Sequence, residues 1–375
     1  MSRDLASGFV APAYGHHSLA DLVPAVASAL GVPGFASVPG LRLPDGSSYV
    51  VFLIDGLGSE LLRRYSHAAP FLSSLVELTA TAGVPSTTAT SLASLGTGLL
   101  PGQHGLVGYT ARIPGTGRLL NHLQWDKSID PVEWQPHETV FARLAATGVS
   151  VTTINKREFS SSGLTVAAHR GASYVGADKV GERIAAVLDA SGRAPSFTYV
   201  YDSDLDWTGH KYGVASTAWL QQLAMIDAAA EHLREELPSA TRLVVVADHG
   251  MIDSPRESRI DIAAHPDLRA GLALVGGEAR FRHLYCRPGA VDDVAAAWRS
   301  ILGDRAEVLT RDELGEAGWL GPLDALVTDR VGDVVVACRD DNAVMSSADF
   351  PYEDTLIGLH GSLTPDEMLI PILVA

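Results

Sequence analysis

The sequence predicts an α/β fold, with a mostly parallel central sheet, helices on both faces of that sheet and a smaller inserted cap region. Short, continuously apolar runs end in acidic residues at 49–55, 197–202 and 243–248, and helical patterns separate these runs. Strands that alternate with helices form parallel sheets whose strands are buried on both faces. A separate set of strands and a helix between residues 253 and 330 interrupts this alternation.

The length and the composition fit this arrangement. The chain has 375 residues, of which 46% are hydrophobic and 19% are charged. This is enough apolar material for a sizeable core, and the length fits one large α/β domain that carries a smaller insertion. We therefore predict that residues 1–252 and 331–375 form the main domain and that residues 253–330 form the inserted cap region.

The first predicted elements are a helix and a strand. Apolar residues recur at helical spacing from residue 17 to residue 30, with Ser18 placed to cap the helix and Gly31 placed to end it. A turn at 44–48 then leads into Tyr49-Val-Val-Phe-Leu-Ile-Asp55. This apolar, β-branched run predicts a strand that is buried on both faces.

The later elements repeat the same pattern. The runs at 197–202 and 243–248 are again apolar and again end in acidic residues, whereas the runs at 281–286 and 334–338 are predicted strands without such an ending. Helical patterns occupy three further stretches, at 180–190, 217–237 and, in the cap region, 291–302. The alternation therefore continues up to the predicted insertion.

Acidic and imidazole side chains follow the strands at the edge where ligands bind in open α/β sheets. Asp55, the cluster from Asp202 to Asp206, and Asp248-His249 all lie at predicted strand ends. Such groups repel one another unless cations lie between them. Carboxylate oxygen and neutral imidazole nitrogen suit Zn²⁺ and, to a lesser degree, Mn²⁺.

The spacing of these residues supports a metal site. Asp206 and His210 are four residues apart, so one helical turn places them on the same side. His360 lies in a loop flanked by glycine, which allows close approach to a ligand. Together with Asp55 and Asp248-His249 this gives six candidate ligands. That number fits two ions with open positions, and paired ions roughly 3.5–4 Å apart can clamp both the attacking and the leaving oxygen of a phosphoryl transfer.

A hydroxyl-rich segment from Gly83 to Gly98 contains the candidate nucleophiles. Its Pro-Ser-Thr sequence is typical of the start of a helix, where the helix dipole favours an alkoxide and the phosphate that it attacks. Chemistry alone does not choose among the four hydroxyls at this point, which are Ser86, Thr87, Thr88 and Thr90.

Several motifs occur together in a fixed order. They are Asp55-Gly56, Pro85-Ser86-Thr87-Thr88, Thr97-Gly98-Leu99, Pro101-Gly102-Gln103-His104-Gly105, Asp206-Trp207-Thr208-Gly209-His210, Asp248-His249-Gly250-Met251 and His360-Gly361. This ordered set resembles the nucleotide pyrophosphatase/phosphodiesterase branch of the alkaline phosphatase superfamily. The resemblance covers nearly the whole chain, and it implies that the main domain is an alkaline phosphatase-like catalytic core.

The resemblance also implies roles for single residues. Thr88 takes the position of the nucleophile and forms a phospho-threonine intermediate. Asp55, Asp248 and His249, with Thr88, would bind one divalent ion, and Asp206, His210 and His360 would bind the other. Zn²⁺ is expected on ligand type, with Mn²⁺ as the alternative.

One position departs from the family pattern. The family has an asparagine five residues after the histidine of the His104-Gly105 motif, where it donates a hydrogen bond to a phosphate oxygen, and here that position is Tyr109. Tyr109 itself, Asn121 and Arg112 are the candidates for this role, and we expect Tyr109 and Asn121 to bind substrate. The departure concerns the recognition of substrate more than the binding of metal ions.

The implied activity is hydrolysis of phosphodiester or pyrophosphate bonds in nucleotide-like substrates. Phosphomonoester or phosphonoacetate-type phosphonate hydrolysis is the alternative within the superfamily, and a catalytically inactive, metal-stabilised binding protein is the alternative of another class. The net charge of −16 argues against binding in nucleic-acid grooves. We expect a small phosphate-ester substrate and, without a signal sequence or membrane span, a cytoplasmic protein.

Overall fold

The computed structural model describes residues 8–375. Eleven strands form its two larger sheets: β1 (Ser48–Ile54), β2 (Val76–Thr81), β3 (Ser150–Asn155), β4 (Ser173–Gly176), β5 (Ser196–Asp202), β6 (Thr241–Val246), β7 (Leu272–Glu278), β8 (Phe281–Cys286), β9 (Ala306–Thr310), β10 (Val334–Cys338) and β11 (Leu369–Val374). Short strands pair in two-stranded sheets, at Thr110–Arg112 with Leu119–Asn121, Ile252–Asp253 with Gly358–Leu359, and Arg259–Asp261 with Ala343–Met345.

Six helices are important for the arguments below. They are α1 (Leu19–Ala29), α2 (Thr88–Thr97), α3 (Val180–Ser191), α4 (Asp204–Tyr212), α5 (Thr217–Glu236) and α6 (Val291–Leu302). Shorter α-helices occupy Ser59–Arg64, Pro70–Ser74, Pro101–His104, Pro131–Trp134, Val140–Ala146, Gly163–His169, Pro266–Arg269, Arg311–Ala317, Ala325–Thr328 and Pro365–Met368. Short 3₁₀ turns lie at Ser66–Ala68, Arg157–Phe159, Arg256–Ser258, Ile262–Ala264, Gly303–Arg305 and Pro351–Thr355.

The central sheet has seven strands in the order β2-β11-β6-β1-β5-β3-β4. Strand β1 pairs in parallel with β5 and β6, and β3 pairs in parallel with β4 and β5. Strand β11 runs against its neighbours β2 and β6. All seven residues of β1 are buried, as its continuous apolar run predicts. The mostly parallel α/β fold expected from the sequence is therefore confirmed.

A second, four-stranded antiparallel sheet has the order β7-β8-β10-β9, and we call it the cap sheet. It packs with α6 around a separate hydrophobic core that includes Leu284, Trp298 and Val336. Strand β10 belongs to this sheet, although the sequence division placed residues from 331 onward in the main domain. The sequence could not show this pairing, because a short apolar, β-branched run fits a buried strand of either sheet and its composition does not identify the strands with which it pairs.

Two buried ion pairs connect the cap sheet to the main domain. Arg280, in the turn between β7 and β8, binds both carboxylate oxygens of Glu367 at 2.7 and 2.8 Å. Arg282, on β8, pairs with Glu353. Glu367 also accepts a hydrogen bond from the backbone N–H of Ser362, two residues beyond His360. The cap therefore holds the loop that carries one of the predicted metal ligands.

Among residues 8–375, each helix is too short or too polar to cross a lipid bilayer.

Candidate active site

The carboxyl ends of β1 and β6 bring Asp55 and Asp248 together. Asp55 directly follows β1, and the backbone N–H of Gly56 donates to Oδ1 of Asp248 at 3.1 Å. Gly56 has φ +77°, a conformation that glycine adopts without strain, and Asp206 lies next to it. The strand ends therefore converge as the sequence predicted.

Three oxygen atoms lie around one ring nitrogen of His249. Its Nε2 lies 3.4 Å from Oδ1 of Asp55, 3.5 Å from Oδ2 of Asp248 and 3.3 Å from Oγ1 of Thr88. His249 and Asp248 are fully buried, and Asp55 and Thr88 are nearly so. This is the first group of residues that the family resemblance assigned to one ion.

A second group lies beside it. On α4, Asp206 and His210 project to the same side, with Nε2 of His210 at 3.4 Å from Oδ2 of Asp206. Nε2 of His360 lies 3.8 Å from the other oxygen of Asp206. Asp206 also lies close to Asp55 and His249, so it stands between the two groups.

The three histidines present the same ring nitrogen to the site. The Nδ1 atoms of His210, His249 and His360 lie 2.7, 2.9 and 3.0 Å from the backbone carbonyl oxygens of Gly358, Gly250 and Ser86. A ring nitrogen pairs with a carbonyl oxygen only by donating its N–H. Each Nε2 is thereby left unprotonated in the neutral ring, with its lone pair directed at the carboxylates, which is the form that binds metal ions.

The three carboxylates of the cluster are only partly satisfied by hydrogen bonds. One buried oxygen in each of Asp55, Asp206 and Asp248 has no hydrogen-bond partner. Burial, together with repulsion from Asp248 and Asp206, holds the pKa of Asp55 well above its usual range, and burial also raises the pKa of Asp248. Buried, unpaired carboxylate oxygens facing unprotonated imidazoles fit divalent cations.

Among the four candidate nucleophiles, Thr88 is the one that faces both the ligand cluster and open space. It is the first residue of α2. The Ser86 hydroxyl donates to the carbonyl oxygen of Ser362 at 2.6 Å and is used to hold the His360 loop. Thr90 is fully buried, and its hydroxyl has no partner. Thr87 precedes the helix and lies next to Glu278.

Two cavities meet at Thr88. The larger has a volume of about 700 Å³ and is lined by residues that include Leu123, Lys156, Phe159 and Trp207. The smaller has a volume of about 230 Å³, with Tyr109, Glu278 and Tyr352 in its wall. Thr88, Leu123, Asp206 and His210 line both cavities.

The predicted substrate-binding residues differ in position. Tyr109 lines the smaller cavity. The side-chain oxygen of Asn121 instead accepts hydrogen bonds from the backbone N–H groups of Leu123 and Gln124, both at 2.9 Å, and Asn121 lines neither cavity. Arg112 donates to the carbonyl oxygen of Asp329 at 2.9 Å and also lies outside both cavities. The structure therefore brings only Tyr109 of these three to the cluster.

Sequence reasoning missed three residues around the cluster. The Tyr201 hydroxyl donates to Oδ2 of Asp55. Arg183, on α3, pairs at 2.6 Å with Asp202, the last residue of β5. Glu278 ends strand β7 and is buried, which raises its pKa to about 8. Glu278 has the same signal as Asp55, an acid at a strand end, but it lies in the predicted insertion and so was not connected with the site.

Comparison with known proteins identifies the family. The model of the type I phosphodiesterase / nucleotide pyrophosphatase family matches residues 49–363. The chain belongs to this family. The match spans β1 to the loop after His360, so it includes all six candidate ligands and Thr88. The resemblance found in the sequence motifs is therefore confirmed, and this phosphodiesterase-family chain is a member of a hydrolase family.

Solved structures with the same fold have low sequence identity to this phosphodiesterase-family chain. Murine ectonucleotide pyrophosphatase / phosphodiesterase 5 is 16% identical, with a TM-score of 0.69, covering 86% of this chain and 87% of its own. The human protein of the same name is 17% identical, with a TM-score of 0.66 and 87% of each chain covered. Phosphonoacetate hydrolase from Sinorhizobium meliloti 1021, in complex with phosphonoformate, is 19% identical, with a TM-score of 0.65, covering 89% of this chain and 91% of its own.

These structures share the alkaline phosphatase superfamily fold with the chain. No curated protein gives a significant match to the sequence.

Proposed function

We propose that this protein is a two-metal hydrolase that cleaves phosphodiester or pyrophosphate bonds of nucleotide-like substrates, with Thr88 as the nucleophile. The observation that carries the proposal is that two cavities of unequal size, about 700 and 230 Å³, meet at Thr88. A diester or pyrophosphate has a substituent on each side of the reacting phosphorus, whereas a monoester has one. Two cavities beside one nucleophile therefore favour a disubstituted phosphate.

The proposed metal ligands are divided into two sets. The first set, Thr88 with Asp55, Asp248 and His249, would hold one ion. The second set, Asp206, His210 and His360, would hold the other. Zn²⁺ is proposed for both, with Mn²⁺ as the alternative. When bound, the ions would supply the positive charge that favours the Thr88 alkoxide and neutralises the phosphoryl oxygens, which a chain with net charge −16 does not provide with surface lysines.

The protein groups then act in sequence. The Thr88 oxygen, at the start of α2, loses its proton to solvent and forms a bond to phosphorus while the bond from phosphorus to the leaving alcohol or nucleotide breaks. The helix dipole of α2 favours the negative charge at this point. Water then attacks the phospho-threonine, which restores the Thr88 hydroxyl and releases the other substituent as a monoester. Tyr201 keeps the Asp55 carboxylate oriented throughout.

A phosphonate hydrolase of the same superfamily is the second candidate. The Lys156 ammonium group lines the larger cavity and pairs with Asp204 at 2.9 Å. It would attract a carboxylate carried by the substrate, as in the phosphonoacetate whose hydrolase shares the fold. The monoesterase alternative lacks an observation of this kind that favours it.

The proposal is tested by comparing turnover of bis(p-nitrophenyl) phosphate with that of p-nitrophenyl phosphate, in Zn²⁺ and in Mn²⁺. We expect a higher kcat/KM for the diester, because both of its aryl groups have a cavity to occupy. A clear monoester preference would reject the proposal, and release of phosphate from phosphonoacetate would favour the second candidate. The Thr88→Ala protein, prepared in parallel, corrects for contaminating phosphatases.

The cytoplasmic location also stays a prediction, which cell fractionation can test.

A further inference from the structure

We propose that the smaller cavity is a specificity subsite for a small substituent that carries an amine, recognised by the carboxylate of Glu278 and the rings of Tyr109 and Tyr352. The inference rests on the proposed phosphodiesterase function, because it concerns the substituent that stays on phosphorus when the leaving group occupies the larger cavity.

Glu278 is the central group of this subsite. Only 8% of the residue is exposed, and it lines the smaller cavity. Its Oε1 atom has no hydrogen-bond partner. In the part of the chain that the structure describes, no lysine or arginine pairs with it; His360 approaches Oε2 at 3.8 Å, but the Nδ1–H of that ring donates to Ser86. A buried carboxylate oxygen without a partner is most stable when a ligand supplies a donor, above all a charged one.

The second acid of the cavity has a different environment. Glu353 also lines the wall, but Arg282 pairs with it and neutralises its charge. The ion pair holds the Pro351–Thr355 turn, which carries Tyr352. Glu278 is therefore the acid that is available to bind a ligand, whereas Glu353 helps to position the wall of the cavity.

Two aromatic rings complete the recognition of a cation. Tyr109 and Tyr352 line the same cavity as Glu278, and their ring centroids are 5.9 Å apart with an angle of 58° between the planes. An ammonium group is attracted to the face of such rings as well as to a carboxylate. Tyr109, which stands where the family has an asparagine, would therefore form an aromatic wall against the substituent.

The size of the cavity limits the substituent. Its volume of about 230 Å³ lies below the range of roughly 300–1,000 Å³ that encloses drug-sized ligands. An aminoethyl group fits this space, and a nucleoside requires the larger cavity. The expected substrate is thus an asymmetric diester, with a small amine-bearing group on one side of phosphorus and a larger group on the other.

The test compares three diesters with one leaving group, the 2-aminoethyl, n-propyl and 2-hydroxyethyl esters of p-nitrophenyl phosphate, on the metal-loaded enzyme. It is run at pH 9, above the pKa of about 8 that burial gives Glu278 and below that of an alkylammonium group. We expect kcat/KM for the aminoethyl ester to exceed that for the propyl ester by ~10-fold or more, because a charged hydrogen bond and a cation–π contact are both gained. The ratio should fall towards one in Glu278→Gln and decrease in Tyr352→Leu, and it should persist in Tyr352→Phe, which keeps the ring. Glu158→Gln, which removes an acid from the wall of the larger cavity, should keep the wild-type ratio.

Several outcomes would overturn the inference. Equal turnover of the aminoethyl and propyl esters would do so, as would a preference that survives Glu278→Gln or an equal preference for the hydroxyethyl ester, which would indicate a general donor site. If none of the diesters reacts, the proposed function fails, and the subsite is then judged by calorimetry. Metal-loaded Thr88→Ala protein should bind 2-aminoethyl phosphate more tightly than propyl phosphate, and equal binding would reject the subsite.

Discussion

Thr88 and Thr90 are two residues apart on the same helix, yet their surroundings differ completely. The Thr88 hydroxyl lies 3.3 Å from His249 and borders both cavities, whereas the Thr90 hydroxyl is buried without a partner. A helix turns by about 100° per residue, so hydroxyls at this spacing point away from each other. One of them borders the two cavities and the other is part of the core.

This contrast gives a prediction for the nucleophile. Thr88→Ala should lower kcat for bis(p-nitrophenyl) phosphate by roughly a thousand-fold or more, because the attacking oxygen is removed. Thr88→Ser should keep measurable turnover, since it retains the hydroxyl. Thr90→Val is the matched control and should react like the wild type. Full activity in Thr88→Ala would show that another group attacks phosphorus.

The buried ring of His169 should make the stability of the protein depend on pH. Both of its ring nitrogens are buried without partners, the ring stacks on Phe141 at 5.1 Å, and burial lowers its pKa to about 3. The unfolded chain has a pKa near 6.5, so below that pH it binds more protons than the folded protein. The contribution of His169 is therefore fully present above about pH 6.5 and is lost as the pH falls towards 3, by about 2 kcal/mol between pH 7 and pH 5.

The measurement is the free energy of unfolding in urea at pH 7 and pH 5, with metal present. His169→Phe should reduce the loss between these two pH values, because it removes the buried titrating ring and keeps the stacking. The exposed His265 supplies a control in His265→Gln, which leaves the core unchanged. An unchanged pH dependence in His169→Phe would contradict the assignment.

At the scale of elements, α2 is held in place by close contact between helices. A Cβ atom on Gly96 would overlap the carbonyl oxygen of Ala168, at the end of the Gly163–His169 helix. Glycine at this position allows α2 to approach that helix, and so it fixes the end of the segment that starts at Thr88. Gly315 is also helical, but nothing lies near the site of its missing Cβ.

Replacement by alanine should have opposite effects on stability at these two glycines. Gly96→Ala should lower the free energy of unfolding by about 2 kcal/mol or more, because the backbone has to move. Gly315→Ala should raise it by about 0.5–1 kcal/mol, because alanine is the better helix former. Urea denaturation of both variants measures the difference. If Gly96→Ala were as stable as the wild type, the close contact would not be present in solution.

The sequence predicted elements better than it predicted their partners. Strand β5 and helices α3, α5 and α6 lie where apolar periodicity placed them, within one or two residues. Periodicity reports how one element is buried, which is a local property. It does not report pairing, so the sequence did not show that β10 joins the cap sheet.

The same limit applies to the site. Asp206 and His210 could be placed together by helical spacing, and the acids after β1 and β6 by their strand ends. Thr88 was separated from its neighbours by family resemblance alone. Glu278 was missed because its approach to Thr87 depends on how the cap sheet folds back onto the core, which no local pattern encodes.

For the whole molecule, the contact between cap and core should contribute strongly to stability. Arg280 and Glu367 are fully buried, so removing one partner leaves an uncompensated charge. Arg280→Met should therefore lower the free energy of unfolding by about 3–5 kcal/mol. Arg63→Met, which breaks an exposed pair with Glu60, should lower it by no more than about 1 kcal/mol. Similar effects of the two substitutions would contradict this role of the buried pair.

Metal binding should also stabilise the whole molecule. Repulsion among Asp55, Asp206 and Asp248 disfavours the folded metal-free protein, and ions that bind only the folded state raise its Tm. Chelation should thus lower Tm and abolish turnover, and added Zn²⁺ should restore both. Asp206→Asn should raise the Tm of the metal-free protein but lose much of the increase produced by Zn²⁺. The exposed Asp304 gives the control, because Asp304→Asn should change neither value.

The reversed strand β11 has a consequence for the order of folding. Within residues 8–375, β2 pairs along its length with β11 and has one further isolated bridge, from Thr81 to Ser18. About 290 residues separate β2 from β11 in the sequence, and the whole cap sheet is formed from residues between them. During synthesis β2 lacks its partner strand for a long time, because β11 emerges from the ribosome much later. Long-range pairing of this kind slows folding and leaves a strand edge exposed to other chains. Nascent chains that end before residue 369 are thus expected to bind chaperones, even though they already contain every proposed catalytic residue.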